Sequence, residues 1–223
     1  MSLIPDAALK AGGSAEFLIP GPAGRLETIV ATPRGPLSGV CVVCHPHPLF
    51  GGTMANKVVW SLSNAALKCG LRTARFNFRG VGRSEGLFDD TIGETDDALA
   101  VAAALRASAP GLPLVMAGFS FGGHVALKAA SRTDTAALVT IAPPMGRYLR
   151  NTEAPAHPRT PWLAVHSADD EVVSYAETRA AFAAYDPPPE FVHFDGAGHF
   201  FHGRLGELEA AVRSFLAPFA PPA

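Results

Sequence analysis

Short apolar runs alternate with helix-like segments along most of this chain. Within the runs the hydrophobicity is continuous, which is typical of strands that are buried on both faces of a sheet. The predicted strands are Val40 to Cys44, Thr73 to Phe78, Leu112 to Ala117, Ala137 to Ile141, Trp162 to His166 and Phe191 to Phe194. The predicted helices are Asn56 to Lys68, Glu94 to Ala107, Gly123 to Arg132, Ala176 to Tyr185 and Leu205 to Leu216. We therefore predict an α/β protein with a doubly wound, mostly parallel sheet and helices on both faces.

Two strands precede this alternation. Ala15 to Ile19 and Leu26 to Ala31 flank the turn Pro20 to Gly24, which predicts an opening antiparallel hairpin. The chain shows neither an internal repeat nor a linker, so we predict a single domain over residues 1–223. The Pro-rich end from Pro218 to Ala223 is expected to fray.

Composition narrows the classes of function. The chain has 223 residues, of which 48% are hydrophobic and 17% charged, so it can bury a large core. A net charge of -2 without a Lys/Arg cluster argues against nucleic acid or an anionic membrane surface as a partner. Met1 to Gly13 has no leader pattern, and no segment approaches the ~20 apolar residues of a membrane span. We expect a cytoplasmic protein that acts on a small molecule.

The three cysteines, Cys41, Cys44 and Cys69, lie in apolar surroundings. Their odd number favours reduced, buried thiols over a disulfide framework. Cys41 and Cys44 have the C-x-x-C spacing, but residues three apart on a strand point to opposite faces. A redox or metal pair is therefore not expected.

The stretch Gly118-Phe119-Ser120-Phe121-Gly122 lies where a buried strand turns into an Ala-rich helix. This is the context of a nucleophile elbow, a tight turn that presents a serine hydroxyl clear of the backbone. The glycines on either side let the strand and the helix approach each other. The alternative is a Gly-rich turn with an inert serine, but the context favours Ser120 as a nucleophile.

A serine nucleophile needs a carboxylate that orients its base, and the strand Trp162 to His166 runs directly into three acidic residues. We predict that Asp170 is this acid. Asp169 and Glu171 are its competitors, and their alternative role is that of solvated turn and first-turn helix charges.

The base is predicted in the glycine-rich loop that follows the strand Phe191 to Phe194. His199 is favoured because this loop carries it back over the edge of the sheet. His202, three residues on, is the rival, and a plain surface histidine is the alternative for either. Ser120, Asp170 and His199 then follow one another in the order serine, acid, histidine.

An oxyanion hole needs two backbone donors. The first is expected to be the N–H of Phe121, the residue after the nucleophile. The second is expected in the loop after Val40 to Cys44, where two prolines have no N–H. His47 is the first candidate there, and Leu49 or Phe50 comes next.

His45 and His47 could alternatively bind zinc. The stretch from His45 to Gly52 supplies no third carboxylate or cysteine ligand. No metal and no cofactor are therefore expected.

Four segments together resemble the α/β-hydrolase superfamily: His45 to Val58, Asn77 to Gly86, the Ser120 turn and the His199 loop. They are most similar to its small bacterial members, which are related to dienelactone hydrolases and serine esterases. The resemblance implies that Ser120, Asp170 and His199 are nucleophile, acid and base. This chain has Ser120 where dienelactone hydrolases proper have cysteine, so their lactone substrate is not implied.

In this superfamily a cap domain usually follows the strand that is here Ala137 to Ile141. The connection Pro143 to Pro161 is too short and too Pro-rich for a helical cap, so we expect no cap domain and an open site. Candidates for lining an acyl pocket are Leu49, Phe50, Phe121, Met145 and Phe200.

The predicted function is that of a serine hydrolase that cleaves small-molecule substrates, short-chain carboxylic esters, through an acyl-enzyme. A thioesterase or peptidase with the same three residues is the closest alternative. A catalytically silent binding protein on this fold is the alternative from another class.

Other conspicuous side chains are interpreted as structural. Arg79 and Arg83 belong to a Gly-rich turn near the reactive edge of the sheet and are expected to be solvated, with contact to a substrate as the alternative. Thr53 is expected to cap the helix that follows it. His166 and His193 lie on apolar strands and are expected to be core histidines.

Overall fold

The computed structural model describes residues 3–5, 9–146 and 155–221. Its strands are β1 (Ser14–Gly21), β2 (Gly24–Ala31), β3 (Gly39–Cys44), β4 (Leu71–Phe76), β5 (Leu114–Phe119), β6 (Ala137–Ile141), β7 (Trp162–Ser167) and β8 (Glu190–Phe194). Five helices within these ranges cover the sheet: α1 (Lys57–Lys68), α2 (Ile92–Ala107), α3 (Phe121–Ala130), α4 (Tyr175–Phe182) and α5 (Leu205–Leu216). None of these helices is long and apolar enough to cross a membrane.

The eight strands form one sheet in the order β1-β2-β4-β3-β5-β6-β7-β8. β1 pairs with β2, and β2 with β4, in antiparallel register, while every pair from β4 to β8 is parallel. The predicted hairpin and mostly parallel sheet are confirmed. The strand order reverses at β3, which lies between β4 and β5. In open α/β sheets ligands bind at the carboxyl ends of the strands beside such a switch point.

The helices bury both faces of the sheet, as predicted. Val42 and Cys44 of β3 contribute to a core with side chains of α2 and α3, whereas Cys41 and Val43 contribute to a second core with α1 and α5. The alternation places Cys41 and Cys44 on opposite faces. All three cysteines are buried free thiols. Burial raises the pKa of Cys41 to about 12, so its thiol is unreactive at neutral pH.

Two predicted strands, Thr73 to Phe78 and Leu112 to Ala117, are displaced by two residues at both ends. β4 ends at Phe76 because the Asn77 side chain turns to Glu27 and Met54. β5 begins after Pro113, which has no N–H for the sheet, while the Leu112 N–H donates to Ala109 in the preceding turn.

The cap of α1 also differs from the prediction. Asn56 is the capping residue, and its side-chain oxygen accepts the N–H groups of Val58 and Val59. Thr53 accepts only the N–H of Ala55, outside the helix. It lies too far upstream for its hydroxyl to reach the first free amides of the helix.

The predicted open connection Pro143 to Pro161 lies partly outside the described residues, because residues 147–154 are not described. Its described parts contribute Pro144 and Gly146 to the cleft beside Ser120.

Candidate active site

Ser120 lies at the sharp turn between β5 and α3. Its φ of 53° is in the left-handed region, which side chains other than glycine rarely adopt. The Ser120 N–H donates to the Ile141 carbonyl at 2.7 Å and so ties the turn to β6. A Cβ on Gly118 would overlap the backbone of Gly122, and one on Gly122 would overlap the backbone of Cys44. The two glycines therefore permit the close approach that raises Ser120 above the sheet edge.

A hydrogen-bonded chain runs from this serine to a carboxylate. The Ser120 Oγ lies 3.1 Å from Nε2 of His199, and Nδ1 of His199 lies 2.8 Å from Oδ2 of Asp170. Ser120 and His199 are 7% and 2% exposed, and the Asp170 side chain is fully buried. The structure thus brings together the three residues that the sequence singled out. His202 is exposed and lies against Phe200 instead.

Asp170 is held as an anion. Burial by itself raises the pKa of this carboxyl, but hydrogen bonds from the His166 and His199 side chains and the Val173 N–H lower it well below its usual range. Its other oxygen, Oδ1, accepts the N–H groups of Val172 at 2.8 Å and Val173 at 2.7 Å. An ionised Asp170 keeps the His199 proton on Nδ1 and leaves a lone pair on Nε2 for the serine.

The two neighbouring carboxylates hold the loop that carries His199. Asp169 accepts the N–H of Gly196 at 3.0 Å and that of Gly198 at 3.5 Å. Glu171 accepts the N–H of His199 itself at 3.1 Å. Both residues are exposed, as expected of turn charges, but their carboxylates also hold the His199 loop, which the sequence analysis did not predict. The direction of a turn side chain depends on local backbone angles, which the residue pattern does not encode.

The loop His45–Gly52 faces Ser120 from the end of β3. His45 is fully buried, with Nδ1 2.6 Å from the Pro46 carbonyl and Nε2 accepting the Phe78 N–H at 3.0 Å. Burial lowers its pKa to about 4, so it is neutral at pH 7. The Phe78 contact attaches the start of the loop to the segment just after β4, while the Pro46 contact fixes the ring within the loop.

The amides of the loop differ in their engagement. The Leu49 N–H donates to Nδ1 of His47, and the Phe50 N–H donates to the His47 carbonyl. Both N–H groups are therefore used within the loop. The His47 ring lies 4.9 Å from the Phe121 ring, so the loop packs directly on the residue after Ser120.

Known proteins resemble this chain in sequence and in fold. A family model described as serine aminopeptidase, S33, matches residues 38–155, more than half of the chain. A solved α/β serine hydrolase homologue from Coxiella burnetii is 42% identical, with 90% of this chain and 96% of that chain covered and a TM-score of 0.83. The chain belongs to the α/β serine hydrolases.

Two further relatives extend the comparison. A solved α/β serine hydrolase without a lid, from Xanthomonas campestris, is 36% identical to this α/β serine hydrolase, with 96% of this chain and 99% of that chain covered and a TM-score of 0.86. An uncharacterized protein from Rickettsia prowazekii is 31% identical over 206 residues, 88% of this chain and 86% of that protein. The predicted α/β-hydrolase fold without a cap domain is confirmed.

A small cleft opens beside Ser120 in this α/β serine hydrolase. Its volume is about 130 Å³, and its lining includes Phe50, Phe121 and Val172. Of the other predicted lining residues, Met145 is buried in the core, whereas Leu49 and Phe200 are exposed outside the cleft lining.

The two arginines of the Gly-rich turn differ in their exposure. Arg79 is buried rather than solvated and makes a two-pronged ion pair with the fully buried Asp97. Arg83 is exposed and pairs with Glu27. Within the described ranges, no group of three or more His, Cys, Asp or Glu side chains has the arrangement of a metal site.

The two strand histidines also differ, because only one of them lies in the core. His193 is exposed, not a core residue, because β8 is the last strand of the sheet. His166 is in the core as expected, but it contacts Asp170, which the sequence analysis missed. The available signal was a titratable side chain at the carboxyl end of a buried strand, four residues before the acid.

Two buried histidines predict how stability depends on pH. Burial lowers the pKa of His45 to about 4 and that of His124 to about 3, from an ordinary 6.5. Between the lowered pKa of each folded histidine and the unfolded pKa of 6.5, the unfolded chain binds more protons than the folded one. The free energy of unfolding therefore decreases as pH falls below ~6.5. We expect His45 alone to lower the free energy of unfolding by about 3 kcal/mol by pH 4. Urea unfolding at pH 7.5, 6, 5 and 4.5 measures this slope.

The control for this experiment is the exposed His202. The variant His202→Gln should keep the slope, whereas His45→Gln should reduce it by about half, because His124 still contributes, even if the stability of the variant at pH 7.5 is lower. An unfolding free energy that stays constant between pH 6.5 and 4.5 would contradict the neutral, buried state of His45.

Proposed function

We propose that this α/β serine hydrolase cleaves small carboxylic esters through an acyl-enzyme on Ser120. The observation that carries the proposal is the chain of contacts from the Ser120 hydroxyl through His199 to Asp170. A serine hydroxyl is a weak nucleophile until a base within hydrogen-bond distance takes its proton. His199 meets this condition with the correct nitrogen toward the serine.

The proposed reaction has two halves. Ser120 Oγ attacks the ester carbonyl while His199 takes its proton, and the C–O bond to the alcohol then breaks as His199 returns that proton to the leaving oxygen. Water attacks the acyl-enzyme in the second half, again with His199 as the base, and releases the acid and the free serine. Asp170 remains ionised throughout and stabilises the imidazolium that forms.

The oxyanion of each tetrahedral intermediate is proposed to bind the N–H groups of Phe121 and His47. Phe121 supplies the first amide of α3, where the helix dipole also favours negative charge. Each such donor is worth ~2.7 to 4 kcal/mol in enzymes where one has been removed. The contact between the His47 and Phe121 rings supports the pairing of these two residues in the proposed oxyanion hole.

Peptide hydrolysis is the second candidate. Glu177 lines the cleft, and a carboxylate there could bind the ammonium group of an aminoacyl substrate, as the description of the matching family model suggests. Ser120 would be acylated in the same way by an ester or by a peptide. The two candidate functions therefore differ in the leaving group, an alcohol or an amine.

A substrate panel tests the proposal. The cleft volume of about 130 Å³ is far below the roughly 300–1,000 Å³ of typical ligand pockets. We therefore expect nitrophenyl acetate and butyrate to be cleaved at least ~10-fold faster than the decanoate, and aminoacyl nitroanilides more slowly than either. Matched thioesters complete the panel, and Ser120→Ala supplies the background rate.

The outcomes of this panel are distinct. Cleavage of the nitroanilides faster than the esters would favour peptide hydrolysis over ester hydrolysis as the function. A rate maximum at long chains, or a jump in rate once droplets form, would show that another element encloses the acyl group and would contradict the preference for short chains.

A further inference from the structure

A second histidine contacts the carboxylate of the proposed acid. His166 lies on β7 and is fully buried. Its Nε2 lies 3.2 Å from Oδ2 of Asp170, the same oxygen that lies 2.8 Å from Nδ1 of His199. Two imidazoles therefore share one carboxylate oxygen, and the reaction as proposed uses only one of them.

The position of the His166 proton follows from its partners. Nε2 also lies 3.1 Å from the Val173 carbonyl, which can only accept a hydrogen bond. Nε2 therefore carries a hydrogen, which it donates to Val173 and Asp170. Nδ1 is buried and has no hydrogen-bond partner in the described part of the chain, so a second proton there would be a buried donor without an acceptor. His166 thus donates to the carboxylate through Nε2.

We propose that His166 is a positioning residue that directs Asp170 toward His199 and limits the electron density that Oδ2 offers to it. This inference rests on the proposed function. Oδ1 is already fixed by the N–H groups of Val172 and Val173, so the plane of the carboxylate survives without His166. What His166 controls is the second oxygen, the one that bonds to the base.

The groups packed around His166 and Asp170 are the others whose titration could affect this contact. The rings of His166 and Tyr175 of α4 are perpendicular, with their centroids 5.7 Å apart. His193 is the register neighbour of His166 on β8 and is exposed, while Ile141 at the end of β6 is paired with Val165, the residue before His166. Glu171 reaches the base only through the backbone N–H of His199.

The test compares three variants that fill the same space differently. Phe keeps the ring volume without a donor, Gln carries an N–H group about as far out as Nε2, and Asn is too short to reach Oδ2. We expect His166→Phe and His166→Asn to lower kcat on the best ester roughly 10- to 100-fold, with KM changed less than about 2-fold. His166→Gln should stay within about 3-fold of the wild type. His193→Phe, on the exposed neighbour, should change nothing.

The pH profile separates positioning from packing. Without the His166 donor, Oδ2 pairs more strongly with protonated His199, so the acid limb of kcat/KM should move to higher pH in His166→Phe and return in His166→Gln. Wild-type kcat and acid limb in His166→Phe would overturn the proposal. Equal losses in all three variants with an unmoved acid limb would assign His166 to packing and overturn it as well.

Proton NMR of the folded protein gives a readout that does not need turnover. The imidazole N–H protons bonded to Asp170 resonate downfield, and we expect His166→Phe to remove one such signal and shift the one from His199. If the wild type shows these signals but cleaves no member of the ester panel, the proposed function fails while the contact between His166 and Asp170 stands. An unshifted His199 signal in His166→Phe and in His166→Asn would show that the two imidazoles are not coupled through Asp170.

If His166→Phe does not fold, the pair His166→Asn and His166→Gln decides the question.

Discussion

Replacing Ser120 with alanine is expected to lower ester hydrolysis by something on the order of 10⁶ while leaving the fold intact. The loss is large because the base and the acid act only through the serine oxygen, so the whole unit fails together. The fold should survive because the turn is held by backbone contacts, above all the bond from the Ser120 N–H to Ile141. Steady-state rates on the best ester of the panel, with thermal unfolding as the check of the fold, measure both.

Ser174 provides the matched control. It lines the same cleft and caps α4 by accepting the Glu177 N–H, whereas the hydrogen bonds of His199 in the described structure go to Glu171, Asp170 and Ser120. Ser174→Ala should cost about 1 kcal/mol of stability and keep most of the activity. Wild-type turnover by pure, folded Ser120→Ala would remove Ser120 as the nucleophile.

Replacing Asp170 with asparagine is expected to lower kcat about 10⁴-fold. Oδ1 accepts two backbone N–H groups, so the amide oxygen of the variant should occupy that position and its NH₂ should replace Oδ2. The NH₂ would then face two donors, Nδ1 of His199 and Nε2 of His166. His199 escapes the clash by moving its proton to Nε2, where it can no longer accept the proton of Ser120.

Asp169 is the control for this variant. Asparagine there can keep its oxygen on the N–H groups of Gly196 and Gly198, so Asp169→Asn should lose less than about 10-fold in kcat. A crippled Asp169→Asn beside an active Asp170→Asn would move the acid by one residue and contradict the account.

The parts of the fold that depend on hydrophobic pattern could be predicted from the sequence. Continuous apolar runs identified the parallel strands because those strands are buried on both faces. The errors occurred where a single side chain decides the boundary, as Asn77 does for β4 and Pro113 for β5. Asn56 replaced Thr53 as the cap of α1 for the same reason, since only its oxygen reaches the free amides.

The site shows the same division. Ser120, Asp170 and His199 could be proposed because each follows a predicted strand, and the carboxyl ends of parallel strands meet at one edge. The supporting contacts could not. Glu171 on the His199 backbone and His166 on Asp170 join segments whose orientation only the folded chain defines. His166 in particular reads as an ordinary core histidine until its partner is known.

The most direct test of the central claim is the mass of the intact protein after treatment with a serine-reactive phosphonate. The account predicts one adduct per wild-type chain, located on Ser120 by peptide mapping, no adduct on Ser120→Ala, and much slower labelling of His199→Ala. An adduct on another residue, or no adduct on a preparation that hydrolyses esters, would contradict it.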